Sequence, residues 1–132
     1  MAYQRPKTIV VIDDDSMMNA IVGGYLKAGG YDVHMYVTPD EGMQGIITHK
    51  PDVIILDRHL GQLDGTEVLG KIRAYKNSAD TPVLMLTGEV RKDEVMKAIT
   101  LGASDYLAKP FMPQELLSKV QKLLDAPKKK DE

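Results

Sequence analysis

The chain of 132 residues predicts an α/β domain: a parallel β-sheet with helices on both faces. Short apolar, β-branched runs such as TIVVID (8–13), DVIILD (52–57) and PVLMLT (82–87) read as strands buried on both sides. Strand-like and helix-like segments alternate five times, the signature of such a sheet. Glycine, proline and capping residues mark the joins.

Residues 8–13 form the first strand. Residues 15–29 follow as a helix, with Met17, Ile21 and Tyr25 and then Met18, Val22 and Leu26 at i, i+4 spacing, and Gly29-Gly30 stops it. Met17 and Met18 are read as core filling. Residues 31–36 (YDVHMY) alternate and suit a less buried strand. In TPDE, Thr38 is the expected N-cap, Pro39 the first helical residue and Glu41 the closing member of a capping box. This second helix carries Met43, Ile46 and Ile47 and ends before Pro51. Strand 52–57 leads to helix 65–75 with Val68, Leu69 and Ile72, and strand 82–87 to helix 91–101, ended by Gly102. Residues 104–108 are a short strand. Residues 113–124 are a helix with Leu116, Leu117, Val120, Leu123 and Leu124 inward. The expected domain is 1–125, and 126–132 (APKKKDE) a disordered polar tail. His34 and His49 are read as surface residues.

Composition narrows the class. Hydrophobic residues make up 43% and charged residues 27%, ordinary for a globular protein with a sizeable core. The absence of cysteine removes disulfides, thiolate metal sites and a catalytic thiol. A net charge of -2 provides no general field toward nucleic acid, so no direct nucleic-acid partner is expected. No run nears the roughly 20 apolar residues of a membrane span. The opening MAYQRPKT lacks a signal-like apolar stretch, so the expected location is cytoplasmic, with no membrane partner.

The polar residues fall where ligands bind in open α/β sheets, beyond the carboxyl ends of the strands. Asp13, Asp14 and Asp15 end strand one, Asp57 ends strand three, Thr87 ends strand four, and Lys109 follows strand five. Two carboxylates about 4 Å apart repel by roughly 4 kcal/mol at an effective dielectric of about 20. Several in one crevice must protonate or take a cation. Mg²⁺ suits them, because it binds one or two carboxylates and leaves positions for phosphate oxygens. Lys109 adds positive charge and Thr87 a hydroxyl. Asp57, alone on the central strand, is the candidate nucleophile for an aspartyl phosphate.

The stretches VVIDDDS, VIILDRHLGQLDG, VLMLTGE and GASDYLAKPF closely resemble the receiver domain of bacterial response regulators, across about residues 7–124. The resemblance implies a flavodoxin-like fold of five parallel strands in the order 2-1-3-4-5, with five helices. It implies that Asp57 accepts the phosphoryl group of a histidine kinase's phosphohistidine. Asp14, Asp57 and the backbone carbonyl of His59 would bind Mg²⁺, with Asp13 reaching it through water. Asp15 would be a helix N-cap. Lys109 would contact the phosphoryl oxygens, Gly88 would offer its N–H, Thr87 would swing toward the phosphoryl group, and Tyr106 would turn inward behind it; on the residues alone, Tyr106 reads as a plain half-buried aromatic. Lys109-Pro110 would be cis. His59 and Glu89 would tune the phosphoryl lifetime. Such a domain catalyses its own phosphorylation and dephosphorylation, so "enzyme" is a borderline label for a signalling switch.

One departure from the family stands out. Gly61 lies where proline is usual, which predicts a more mobile loop and a less precise His59 carbonyl. Three rivals fit less well. A haloacid-dehalogenase-like phosphatase needs an aspartate where Gln62 stands, directly after a strand, and HLGQ (59–62) does not read as one. A flavin carrier needs a hydroxyl-rich phosphate loop after strand one. A pseudo-receiver would lack part of the acid–Thr–Lys set. With no space for an output domain after residue 125, the expectation is a stand-alone receiver in the manner of chemotaxis receivers. It would bind a downstream target through helix four, strand five and helix five, or relay phosphate to a phosphotransfer protein.

Overall fold

The computed structural model describes residues 5–88 and 91–127. Five strands, β1 (Thr8–Ile12), β2 (Asp32–Tyr36), β3 (Val53–Asp57), β4 (Val83–Thr87) and β5 (Asp105–Ala108), form one parallel sheet. Their spatial order is β2-β1-β3-β4-β5, the order and helix count that the resemblance implies. The helices are α1 (Ser16–Ala28), α2 (Pro39–His49), α3 (Gly65–Ala74), α4 (Lys92–Thr100) and α5 (Pro113–Asp125).

The apolar runs explain the layout. Every residue of β3 and β4 is buried, which suits strands covered on both faces. Side chains alternate across a strand, so the sheet divides the core in two. Val10, Ile12, Ile54, Leu56, Val83 and Met85 pack with α2, α3 and Ala98 of α4. Ile9, Val11, Val53, Ile55, Leu84 and Leu86 pack on the other face with α1 and α5. Thr38 caps α2 by accepting from Glu41 N at 3.2 Å, while its hydroxyl donates to the Glu41 carboxylate at 3.0 Å. The capping box is therefore closed side chain to side chain.

Five local expectations need correction. Met17 is 71% exposed, because the cap at Asp15 starts the helix there and places Met17 on the outer side of the first turn. Ile47 is likewise exposed, beside buried Ile46. His59–Leu60 pairs with Leu63–Asp64 as a two-rung antiparallel hairpin, so part of HLGQ is a short strand after all. Gly61, at φ 64°, begins the two-residue turn, the conformation that favours glycine in such hairpins. The loop expected to be mobile is thus hydrogen-bonded to itself. His34 and His49 are half-buried and stack with ring centroids 3.6 Å apart.

Candidate functional site

Parallel strands bring their carboxyl ends to one edge. At the end of β1, Asp13 is fully buried. Its N–H donates to Tyr36 O at 3.1 Å and its Oδ1 accepts from Asp15 N at 2.9 Å. Asn19, buried on α1, donates from Nδ2 to Asp13 O at 2.8 Å and to Tyr36 O at 3.1 Å, tying the ends of β1 and β2 together. Asp15 caps α1, accepting from Met17 N at 2.9 Å and Met18 N at 3.4 Å.

At the end of β3, Asp57 is buried, and its Oδ1 accepts from Lys109 Nζ at 3.0 Å and His59 N at 3.4 Å. Lys109 Nζ also lies 3.6 Å from Asp13 Oδ2. Asp14 is exposed, and its Oδ2 accepts from Gly61 N at 2.8 Å. The hairpin therefore positions Asp14 through a backbone group that a proline would lack. Gly65 closes the loop where a Cβ would stand 2.4 Å from Asp57 O. The Lys109-Pro110 peptide is cis.

Asp13, Asp14 and Asp57 each offer an oxygen within 4.8 Å of the others. A single ammonium faces these carboxylates within the described residues that pair with them. Asp13 Oδ2 is buried without a hydrogen-bond partner. Burial, opposed by the Asp15 N–H and reinforced by the Asp57 charge, pushes Asp13 up to about 6. An oxygen-rich cluster with excess negative charge and an orphaned buried oxygen fits a hard divalent cation.

Thr87 is buried at the end of β4 and its carbonyl accepts from Lys109 N at 2.8 Å. Gly88 is exposed, with open space where a Cβ would be. Tyr106 is half-buried on β5, opposite Met85, with Lys119 Nζ 5.6 Å from its ring centroid. Thr87 and Tyr106 line a small cavity beneath α4, together with Arg58, Met85, Glu94 and Ala98. Glu89 and the tail from residue 128 lie outside the described residues.

Arg58 is the site residue that sequence reasoning missed. It follows Asp57 directly but is aimed the other way. Its Nε donates to Asp64 Oδ1 at 2.9 Å, and its Nη2 to Asp64 Oδ2 at 3.4 Å and Glu94 Oε2 at 2.6 Å. Asp64 in turn caps α3 by accepting from Thr66 N at 2.9 Å. Burial would raise Asp64, but hydrogen bonds from Arg58 and Thr66 outweigh it and hold its carboxyl at about 2. Strand alternation could have signalled the orientation, since Arg58 has the parity of Leu56. Glu94, 36 positions away, could not be paired from sequence.

Known proteins give the same picture. The family model of the response regulator receiver domain matches residues 9–121. The DNA-binding dual master transcriptional regulator RpaA of Synechocystis is 38% identical over 88% of this chain and 48% of its own length. The transcriptional regulatory protein PhoP of Bacillus subtilis is 36% identical over 89% of this chain and 48% of its own. The chain thus spans about half the length of these curated relatives. Among solved structures, the chemotaxis protein CheY4 of Vibrio cholerae superposes with a TM-score of 0.87 at 28% identity, over 91% of this chain and all of its own. The chain belongs to the response regulator receiver domain family of two-component systems. No helix among the described residues is long and apolar enough to cross a membrane.

Proposed function

We propose that this receiver domain takes a phosphoryl group onto Asp57 from the phosphohistidine of a histidine kinase or phosphotransfer protein. The observation that carries the reading is the convergence of Asp13, Asp14 and Asp57 on one point with Lys109 3.0 Å from the Asp57 carboxylate. An Asp57 oxygen attacks phosphorus, the new O–P bond replaces the P–N bond, and the imidazole leaves with the bonding pair. Mg²⁺, held by Asp14, Asp57 and the His59 carbonyl and by Asp13 through water, would neutralise the oxygens in flight. Lys109 shares that charge, Gly88 presents its N–H on the open side, and the Thr87 hydroxyl meets the phosphoryl group. Catalysis of this kind is positioning and charge neutralisation. Tyr106 follows Thr87 inward, and His59 and Glu89, two places beyond Asp57 and Thr87, tune the lifetime.

The output surface in this reading is α4, β5 and α5, where Met96 and Ile99 stand exposed. Likeness to the chemotaxis protein CheY4 supports a use as a receiver that binds a target protein, with the cytoplasm as its proposed location; a relay to a phosphotransfer protein is the other use of the same chemistry. Half-length coverage of RpaA supports a second arrangement, in which the domain is the receiver portion of a longer regulator.

Intact mass after incubation with a small acyl phosphate tests the chemistry. One base-labile phosphate that needs both Mg²⁺ and Asp57 is expected, and Asp57→Asn should carry none. Incorporation that persists in Asp57→Asn would reject Asp57 as the acceptor. A pull-down with and without phosphorylation separates the outputs: target binding gives a stable phosphorylation-dependent complex, and relay only a transient transfer.

A further inference from the structure

The geometry points to Arg58 as a positioning residue that latches α4 to the hairpin beside the acid cluster, and so sets the resting place of the output helix. The significance of that helix rests on the receiver reading; the latch itself rests on the following contacts.

Of the nine residues of α4, only Ala98 is buried. By contrast, α1 buries Asn19, Val22, Gly23 and Leu26. The N-cap of α4, Arg91, makes no side-chain capping hydrogen bond. One buried alanine supplies little hydrophobic anchorage, since the effect scales with apolar area removed from water. Half-buried Val95, which lines the cavity with Ala98, adds a little, and the other close contact is charged. Arg58, 8% exposed, reaches Glu94 in the first turn of α4 at 2.6 Å, while Arg91 Nη2 stands 3.7 Å from the other Glu94 oxygen. The same guanidinium grips Asp64 at 2.9 Å. Asp64 is opposite His59 in the hairpin, and Gly61 at the hairpin tip donates to Asp14. One planar fork thus joins the loop that positions the acid cluster to the helix above the Thr87–Tyr106 cavity. The planar guanidinium presents its donors in a fixed fork, which suits two carboxylates held on different elements better than the compact ammonium of lysine.

Hydrogen exchange on the full, unphosphorylated chain decides the matter and needs no receiver chemistry to work. Glu94→Gln keeps the size of the side chain and removes its charge. Exchange of the α4 amides at 96–100 should rise about tenfold, as expected for a locally opened helix, while α1 and α5 stay within about twofold. Arg58→Met should raise α4 exchange at least as much, and by more than it raises exchange in α1 and α5, and Arg58→Lys, which keeps the charge without the planar fork, should fall between. Unchanged α4 exchange in both Glu94→Gln and Arg58→Met would overturn the latch. So would a rise shared equally by α1, α4 and α5, which would mean global loosening. Failure of phosphate incorporation in the mass assay would reject the receiver reading separately, with the exchange result unaffected.

Discussion

Asp57 and Arg58 are neighbours in the chain, yet they belong to two polar regions with opposite electrostatics. Asp57 shares the parity of Val53 and Ile55 and meets Asp13 and Lys109; Arg58 shares that of Leu56 and meets Glu94 beside Thr87 and Tyr106. In the first region carboxylates outnumber their cation, and Asp13 Oδ2 has no hydrogen-bond partner. In the second, the Arg58 guanidinium hydrogen-bonds both Asp64 and Glu94, and Arg91 stands 3.7 Å from Glu94, so two cations face two carboxylates. The first region thus carries excess negative charge that a cation would neutralise, whereas the second has its carboxylates paired.

The two regions should differ most in metal binding. Asp14→Asn should weaken Mg²⁺ binding by about tenfold or more, a loss typical of altering a metal site's ligands or their supports, whereas Asp64→Asn should leave it within about twofold. Titration calorimetry on both variants checks this, and equal losses would erase the distinction between the regions.

Stability without metal should change in opposite directions. Asp13→Asn removes a buried, raised carboxyl and should stabilise the metal-free protein at pH 7 by roughly 1–3 kcal/mol. Arg58→Met leaves two carboxylates without their shared cation and should destabilise it by about 1–3 kcal/mol. Urea unfolding followed by circular dichroism in EDTA measures both. Asn19→Ala, which loses the two bonds to Asp13 O and Tyr36 O, should cost about 1–2 kcal/mol.

The same two carboxyls should also separate by pH. Asp13 is raised from 3.8 to about 6, so between these values the folded chain binds more protons than the unfolded one, and stability falls as pH rises from about 4 to 6. Asp64 is lowered from 3.8 to about 2. Its contribution is complete above about pH 4 and disappears as pH falls through 2. In EDTA, Asp13→Asn should flatten the decline between pH 4 and 6 and leave the acid limb below 4. A decline that survives the substitution would reject Asp13 as its source.

Much of this was readable from the chain because the strongest signals are local. The β-branched runs announced the strands to within a residue or so, and the placement of Asp13, Asp57, Thr87 and Lys109 at strand ends announced their convergence. Asn19 was not singled out in the sequence, although it shares the buried 19, 22, 23, 26 stripe and a polar residue in such a stripe needs a buried partner. The hairpin escaped because two-residue strands are too short to show a period, and glycine at 61 argued for mobility where it supplies a turn. Met17 was misplaced because a sulfur-bearing side chain in the first helical turn satisfies an apolar pattern without facing the core. The Arg58–Glu94 contact spans strand, hairpin and helix, so no local pattern encodes it.

The two-sided sheet has a consequence for how such a domain can change its client. Met96 and Ile99 can be rewritten without altering a single atom that Asp13, Asp57 or Lys109 touches, because β3 and β4 stand between them as a partition. Under the proposed function, phosphoryl chemistry and partner choice would therefore rest on different side chains. In that reading, changes confined to the exposed side chains of α4 would alter the partner and leave the carboxylate cluster as it is.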